Sequence, residues 1–333
     1  MDTTWNSSMN VERWRKEFAF EAAKLDFLSK FAGTSENSAI QIVDDLKAKK
    51  GSTIHVDLIM KLLGSGVTGD NIMAGNEEDL VQYQQSVVVD QLRHGVKSKG
   101  KMDNKKVLTD FRKTALRQLK IWFNEKLDSD LITVLSASPS RTLGADNGGT
   151  PRIDSASKSG LASADVITID DIRLMKTLAT NPYTSTHPKI RPIKNNGENY
   201  YCLVIGSESA YDLKTSSAYN TLMRDAWWRG EKNPLFHDAK VVVDNVLVHE
   251  YEGISQFDDG GGSTVHGEVN LFLGAQAGVF ARGGDHSWHE ETVDRGNKLS
   301  VTGGLIYELA KTKFNSIDFA TMAYYTATTD LSA

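Results

Sequence analysis

Apolar positions along the chain change their spacing several times, and each change marks a different element. Trp14, Phe18, Ala22, Leu25 and Leu28 recur at steps of 4, 4, 3 and 3, the spacing of one helix face. Ser35–Ala39 breaks that rhythm. A second short apolar set, Ile40, Val43 and Leu46, ends in Lys47, Lys49, Lys50 and Gly51, and basic residues followed by Gly close a helix. Residues 1–50 therefore read as an arm of two surface-packed helices, the alternative being an arm that packs on a neighbouring subunit.

Residues 51–102 have a different character. Ser52–Met60 is rich in Ile and Val and reads as a strand. The run from Leu63 to Asn71 carries Gly64, Gly66 and Gly69 and reads as a turn region. Glu77–Val96 holds Val81, Tyr83, Val87, Val88 and Val89, again strand-like content. Two extended segments joined through a Gly-rich excursion make a long hairpin-like loop. The loop has few apolar residues for its length, and a two-stranded ribbon is marginal alone in water. It needs a partner surface, on this chain or on another copy.

Asp103–Leu135 is the clearest helix. Leu108, Phe111, Ala115, Leu119 and Trp122 step by 3, 4, 4 and 3, while charged residues fall off that stripe. Asp103 stands where an N-cap belongs. Such a helix, about 20 to 30 residues and about 30 to 45 Å long, suits a strut. Ser136–Asp165, rich in Ser, Gly and Ala, reads as a flexible linker. Beyond it the pattern predicts a short helix at Ile169–Ala179, a buried strand at Tyr200–Ile205 and a helix over Ser207–Arg229. Ala239–Glu250 reads as a strand pair and Asp258–Gly267 as a mobile Gly loop. Val269–Arg282 reads as a tightly packed strand or helix. Strands are expected at Trp288–Val293, Gly303–Tyr307 and Asp318–Thr328.

Proline placement adds a domain argument. All six prolines lie between Pro139 and Pro234. Proline breaks helices and central strands, so the regular framework should come from the two ends of the chain, with another lobe inserted between them. The length of 333 residues suggests two domains, on a prior of about 150 residues each. With 40% hydrophobic and 24% charged residues the chain can bury a core, which excludes global disorder. Cys202 is the only cysteine, so no intrachain disulfide or Cys-based zinc cluster can form, and a reducing compartment fits. The net charge of −5, from 38 basic and 43 acidic residues, argues against a protein whose main task is coating nucleic acid. The longest run without Asp, Glu, Lys or Arg is 13 residues, Val269–Ala281; a membrane helix needs about 20. The first residues reach Glu12, Arg13, Arg15 and Lys16 with no apolar core before them, unlike a secretory signal.

Candidate chemistry is thin. His286 and His289 beside Glu290 and Glu291 lack the spacing of the helical metalloprotease pattern, and a solvated loop explains them. Asp258 and Asp259 precede three glycines without the alternating carboxylates of a calcium loop. Gly64–Gly69 has neither the dinucleotide spacing nor the Gly-Lys-Ser/Thr end of a phosphate loop. Cys202 sits in an apolar strand with no charge to activate it. Trp227-Trp228-Arg229 reads as a helix end packed on a core or an interface. No catalytic, cofactor or metal constellation emerges, and no activity as an enzyme is expected.

A resemblance covers most of the chain in order. Its best segments are Gly69–Leu80, Val89–Val96, Gly100-Lys101-Met102 and the long helix through Trp122. It continues through Tyr201–Leu213, Asn233-Pro234-Leu235-Phe236, Leu273–Ala277 and Lys313–Phe319. The combination resembles the phage N-four-type major capsid protein family of tailed bacteriophages. Asp294-Arg295-Gly296 departs from the Asp-Tyr-Gly usual there.

The resemblance implies an α+β chain with the HK-ninety-seven-type phage capsid fold. Its parts would be an N-terminal arm (1–50), an extended loop (51–102), a peripheral domain with a long spine helix (103–165), an axial domain (166–268) and a return to the peripheral domain (269–333). It implies a major capsid protein that self-assembles through hexamers and pentamers into an icosahedral shell around double-stranded DNA. Assembly would take place in the host bacterial cytoplasm, with a portal and scaffolding or decoration proteins as further partners and no membrane. With the arm and loop lying across adjacent subunits, Trp5 and Trp14 on the arm and Tyr83, Val87 and Val89 on the loop are candidate contacts to neighbouring copies. Related capsids expand on maturation, which makes Gly64, Gly66, Gly69, Gly260, Gly261 and Gly262 candidate hinges. An encapsulin-like compartment and an enzyme are the competing classes. A neighbouring cargo gene would favour the first, and tight stoichiometric binding of a metal or cofactor the second.

Overall fold

The computed structural model describes residues 28–44, 51–62, 64–106, 110–145, 151–154, 156–181, 187–195, 197–221, 241–260, 265–284 and 287–329. A helical turn, α1 (Leu28–Phe31), leads into β1 (Ala32–Gly33) and β2 (Ile40–Val43). Strands β3 (Thr53–Ile59), β4 (Gln82–Val88) and β5 (Asp90–Lys97) follow, then helices α2 (Lys101–Lys106) and α3 (Phe111–Ser136). The middle holds β6 (Thr142–Gly144), β7 (Arg152–Ile153), α4 (Ile169–Thr180), β8 (Ile193–Asn195), β9 (Glu198–Ile205) and α5 (Ser207–Thr215). Next come β10 (Val241–Val243), β11 (Val246–Glu250), β12 (Ser255–Gly260), β13 (Val265–Leu273) and β14 (Gly278–Arg282). The chain closes with β15 (Ser287–Val293), β16 (Lys298–Lys311), β17 (Lys313–Phe314), β18 (Ile317–Asp318) and β19 (Thr321–Ala327).

Strand β16 is the axis of one sheet, in the order β1-β2-β14-β16-β15 with β5 also on β16. Both β5 and β15 pair with residues 300–304 of β16, so they lie on its opposite edges. A larger sheet runs β10-β11-β9-β13-β19-β6-β7, with β12 beside β13 and β8 beside β9. Its central strands β13 and β19 are buried almost throughout, as is β9 from Tyr201 to Ile205, the pattern of strands covered on both faces.

Helix α3 links the two sheets. Ala115, Leu119, Phe123, Leu127, Leu131 and Leu135 recur every four residues and are buried. At about 100° per residue such a stripe winds about 200° round the helix over five steps. Its first part accordingly packs with Val301 against Val96 and Leu299. Its second part enters the main core with Leu305 and Leu309 of β16, Leu203 of β9, Phe272 of β13 and Met175 of α4. Gly303 makes room at the crossing: a Cβ there would lie 2.7 Å from Phe123 and 2.9 Å from Trp288.

Several elements differ from the pattern-based expectation. Helix α3 begins at Phe111, capped by Asp110, whose Oδ1 accepts the Arg112 N–H at 3.0 Å. Asp103 lies inside α2, so the expected strut is two helices, and Leu108 lies outside the described residues. Ile40–Val43 is a strand, paired in parallel with β14 from Ile40↔Gly278 to Val43↔Ala281. Three apolar residues at a spacing of three do not specify a helix once an open sheet edge is available. The supposed linker 136–165 contains β6 and β7, and it buries Leu143, Ala145 and Leu161. Its small residues permit close packing as readily as motion.

Four further expectations change shape. Helix α5 ends at Thr215; helical turns resume at 217–221, and the rest of the expected helix lies outside the described residues. The flanks of the expected Gly loop are strands β12 and β13, with a register shift between Phe257 and Gly260. Val269–Arg282 is divided between β13 and β14, and Asp318–Thr328 between β18 and β19. The division expected at 268/269 falls within β13, and β19 pairs with β13 in the larger sheet.

Candidate assembly surfaces

The extended loop is a hairpin with a fixed base and an uncovered tip. Its strands β3 and β4 pair antiparallel, from Thr53↔Val88 to Ile59↔Gln82. Alternate residues point to one face, where Ile54 and Val87 pack on Ala281 of β14. Gln85 then pins β4 to the body. Its side-chain N–H donates to the Lys311 carbonyl and its oxygen accepts the Lys313 N–H, both at 2.8 Å. Hydrogen bonds from Val89 N–H to Ser52 and from Met60 N–H to Val81 close the two ends of the ladder, both at 2.9 Å.

Beyond that ladder the described residues between 60 and 81 form no regular strand. Gly66, Gly69 and Gly75 adopt positive φ, a backbone state that favours glycine. Carboxylates support the turns locally: Glu78 accepts the Gly64 N–H at 2.6 Å and Glu77 the Gly75 N–H at 2.7 Å. The large apolar side chains have no such cover. Ile72 is 75% exposed and Leu80 is 68% exposed, with Ile59, Leu62, Met73 and Val81 also open to solvent. Large exposed apolar groups gathered on one projection mark an interaction surface.

The residues singled out from sequence fall in different settings. Tyr83 is half-buried on β4. Val87 is buried at 2% by its own chain, and Val89 packs on the same Ile54–Val87–Ala281 cluster. Burial of Val87 corrects its expected role as a contact to a neighbour, while Val89 remains partly open beside it. The inward face of β4 already has a partner within the subunit. Gly64, Gly66 and Gly69 lie in the exposed turns, and Gly260 ends β12. Trp5, Trp14, Gly261 and Gly262 lie outside the described residues. Sequence reasoning overlooked Ile72, Met73 and Leu80. Their signal was aperiodic apolar residues inside a stretch rich in Gly, Asn and Glu, where no core element can form around them.

Several buried or part-buried polar side chains among the described residues join one element to another. His266 of β13 lies between Glu208 of α5, at 2.7 Å, and Asp258 of β12. Burial alone would lower the imidazole pKa; its two carboxylate partners outweigh that and raise it. Buried Glu268 accepts the Ser209 N–H at 3.0 Å, and burial pushes its pKa up. Asn270 bridges Ser209 and Thr326. Asp318, fully buried, accepts from Lys311 Nζ at 3.1 Å and from the Ser140 N–H at 2.8 Å. Cys202 is buried in β9. His289 is exposed on β15, and His286 lies outside the described residues. Among the described residues no three His, Cys, Asp or Glu side chains are placed to share a metal ion. No helix there is long and apolar enough to cross a membrane.

A clamped hairpin with an uncovered apolar tip is a surface built for association. Comparison with known proteins agrees. The sequence profile described as "Phage capsid protein" matches residues 2–329. The chain belongs to this phage capsid protein family. It is 28% identical to the major capsid protein of Pseudomonas phage KPP25, over 94% of each chain. Among solved structures it is similar to the capsid of Ralstonia phage GP4, at 28% identity and a TM-score of 0.83, over 98% of this chain and 97% of that one. The Cyanophage Pam1 capsid asymmetric unit gives the same TM-score of 0.83 at 22% identity over 99% of both chains, a likeness of fold. The architecture is the expected α+β, HK-ninety-seven-type capsid fold. The capsid protein's role is that of a phage major capsid protein, and its place is the virion.

Proposed function

We propose that the capsid protein assembles through hexamers and pentamers into an icosahedral shell enclosing double-stranded DNA. In this reading 1–50 is the arm, 51–102 the extended loop and 103–165 the peripheral region with the spine helix. Residues 166–268 form most of the axial domain and 269–333 return to the periphery. The observation that carries it is the loop tip. Gln85, Ile54 and Val87 hold the hairpin base rigidly on the body, while Ile72, Met73 and Leu80 remain uncovered, so another copy must cover them. Each such contact is modest, and many of them sum through multivalency. Individually reversible steps let misplaced subunits leave.

The protein acts as a wall and not as an enzyme. Its mild net negative charge suits a lining past which DNA must slide. A portal, and scaffolding or decoration proteins, complete the particle, which forms in the host cytoplasm. Gly64, Gly66, Gly69 and Gly260–Gly262 act as hinges when the shell expands. Hydrogen exchange on immature and mature particles checks this: protection is expected to change at both bends, and equal protection in the two states would exclude the hinges. Expression of the chain followed by electron microscopy checks the main reading. Closed shells are expected; a solitary compact subunit under every ionic condition would overturn it.

A further inference from the structure

The two ends of the extended run that leads from the loop into the body carry opposite charge. On the tip side, Asp57, Asp70, Glu77, Glu78 and Asp79 are exposed with Lys61 as the only base between 57 and 80. At the other end, Lys97, Lys99, Lys101, Lys105 and Lys106 are exposed with Asp103 as the only acid between 97 and 106. This basic cluster stands out in a chain whose net charge is −5. Among the described residues none of the five lysines forms an ion pair, and neither do Asp57, Asp70 and Asp79. Each patch also presents apolar side chains among its charges. Met102 is 71% exposed on α2, and Ile72, Met73 and Leu80 are exposed on the tip.

One copy cannot bring these patches together. Gln85 is held at Lys311 and Lys313, Asp90 pairs with Tyr307, and Lys97 pairs with Ser300. The chain thus runs antiparallel to β16 along nearly its whole length. The acidic tip lies beyond the C-terminal end of β16 and the basic patch beyond its N-terminal end, where Ser98 bonds Leu299 in both directions. A strand of 14 residues, at about 3.3 Å per residue, keeps them about 45 Å apart. Opposite charges at opposite ends of a rigid body favour head-to-tail contact, the heterologous arrangement that closes into rings.

We infer that the acidic, apolar loop tip of one capsid protein docks on the basic Lys97–Lys106 segment of a second copy. The inference rests on the assembly reading above and names the surface that receives the loop. Double-stranded DNA is the other polyanion within reach of such lysines. Phosphate contacts, however, make no use of exposed Met102, whereas the tip offers both carboxylates and apolar side chains to match.

Charge exchange in the full chain tests it. One variant carries Lys101→Glu, Lys105→Glu and Lys106→Glu; a second carries Asp70→Lys, Glu77→Lys and Asp79→Lys; a third combines all six. Self-association is followed by sedimentation velocity and shell closure by electron microscopy. Each triple variant should lose association by about tenfold or more, because like charges then face one another. The sixfold variant should regain most of it, which also shows that the altered chains fold. Triple variants that associate like wild type, or a sixfold variant that stays dissociated, would overturn the inference. So would lysine reversal that spares association and lowers only the DNA retained in particles, which would assign the patch to nucleic acid. Wild-type chains that associate without closing shells would instead fail the capsid reading and leave the charge comparison to be scored on association. Wild-type chains that stay monomeric would remove both.

Discussion

Asp318 shows how single residues hold distant parts of the capsid protein together. It is completely buried, and its partners come from β16 and from the segment after α3. Lys311 is 5% exposed, and burial lowers its pKa while Asp318 opposes that shift. Removing one partner of a buried pair leaves the other charge uncompensated, at about 3–5 kcal/mol. Asp318→Ala should therefore lower subunit stability by about that amount in denaturant titration, whereas an exposed pair such as Arg173–Asp170 should contribute little on mutation. His266 makes a pH-dependent joint. Its folded-state pKa is raised, so its contribution is fully present below the unfolded value of about 6.5 and fades as pH rises through the folded value. Melting of the unassembled subunit should show a loss of stability from pH 6 to pH 8 that is smaller in His266→Gln. Equal pH dependence in the two proteins would remove His266 as its source.

At the scale of elements, α3 and β16 form the frame on which the loop is mounted. The winding apolar stripe of α3 meets β16 first through Leu119 and Val301, then through Phe123, Leu305 and Leu309. Leu131, buried at 2% in the main core, should cost about 2–5 kcal/mol as Leu131→Ala. Gly303→Ala probes the same seam from the strand side. Its added methyl meets Phe123 and Trp288 inside van der Waals distance, and overpacking of that kind should cost about 1–3 kcal/mol. Both effects are read by thermal or chemical unfolding of the subunit. Much of this frame was legible from spacing. The helical spacing of Phe111, Ala115, Leu119 and Trp122 and the Val- and Ile-rich strands announced themselves, because periodicity records which backbone state buries a continuous face, whereas the buried line from Phe123 to Leu135 emerged only from packing. The N-cap at Asp110 and the strand at Ile40–Val43 did not. Asp103 fits the same cap pattern seven residues before the one the fold uses, and a strand of four residues is defined by the neighbour it pairs with.

For the molecule as a whole, the loop separates the stability of the subunit from the stability of the shell. Ile72 and Leu80 touch no core cluster of the subunit and are exposed. Ile72→Ser with Leu80→Ser should leave the melting temperature of the isolated subunit unchanged within error while reducing shell yield several-fold. Ile54→Ala should do the reverse first, loosening the loop base within the subunit, since Ile54 is buried on Val87 and Ala281. A tip double variant that melted early while assembling normally would contradict this division.

By itself, the order of residues determined that helices and strands are mixed, that a long helix runs to about residue 135, that the loop is long and under-filled, and that no intrachain disulfide can form. These follow from local rules: side-chain period, turn chemistry and the count of cysteines. Tertiary structure alone decided which apolar loop residues face inward. Val87 and Val89 differ from Ile72 and Leu80 not in hydrophobicity but in what lies opposite them, and Ala281 is about two hundred residues away along the chain. It also decided that the acidic and basic segments stand at opposite ends of β16. A sequence records charge in order, while only strand pairing converts that order into distance.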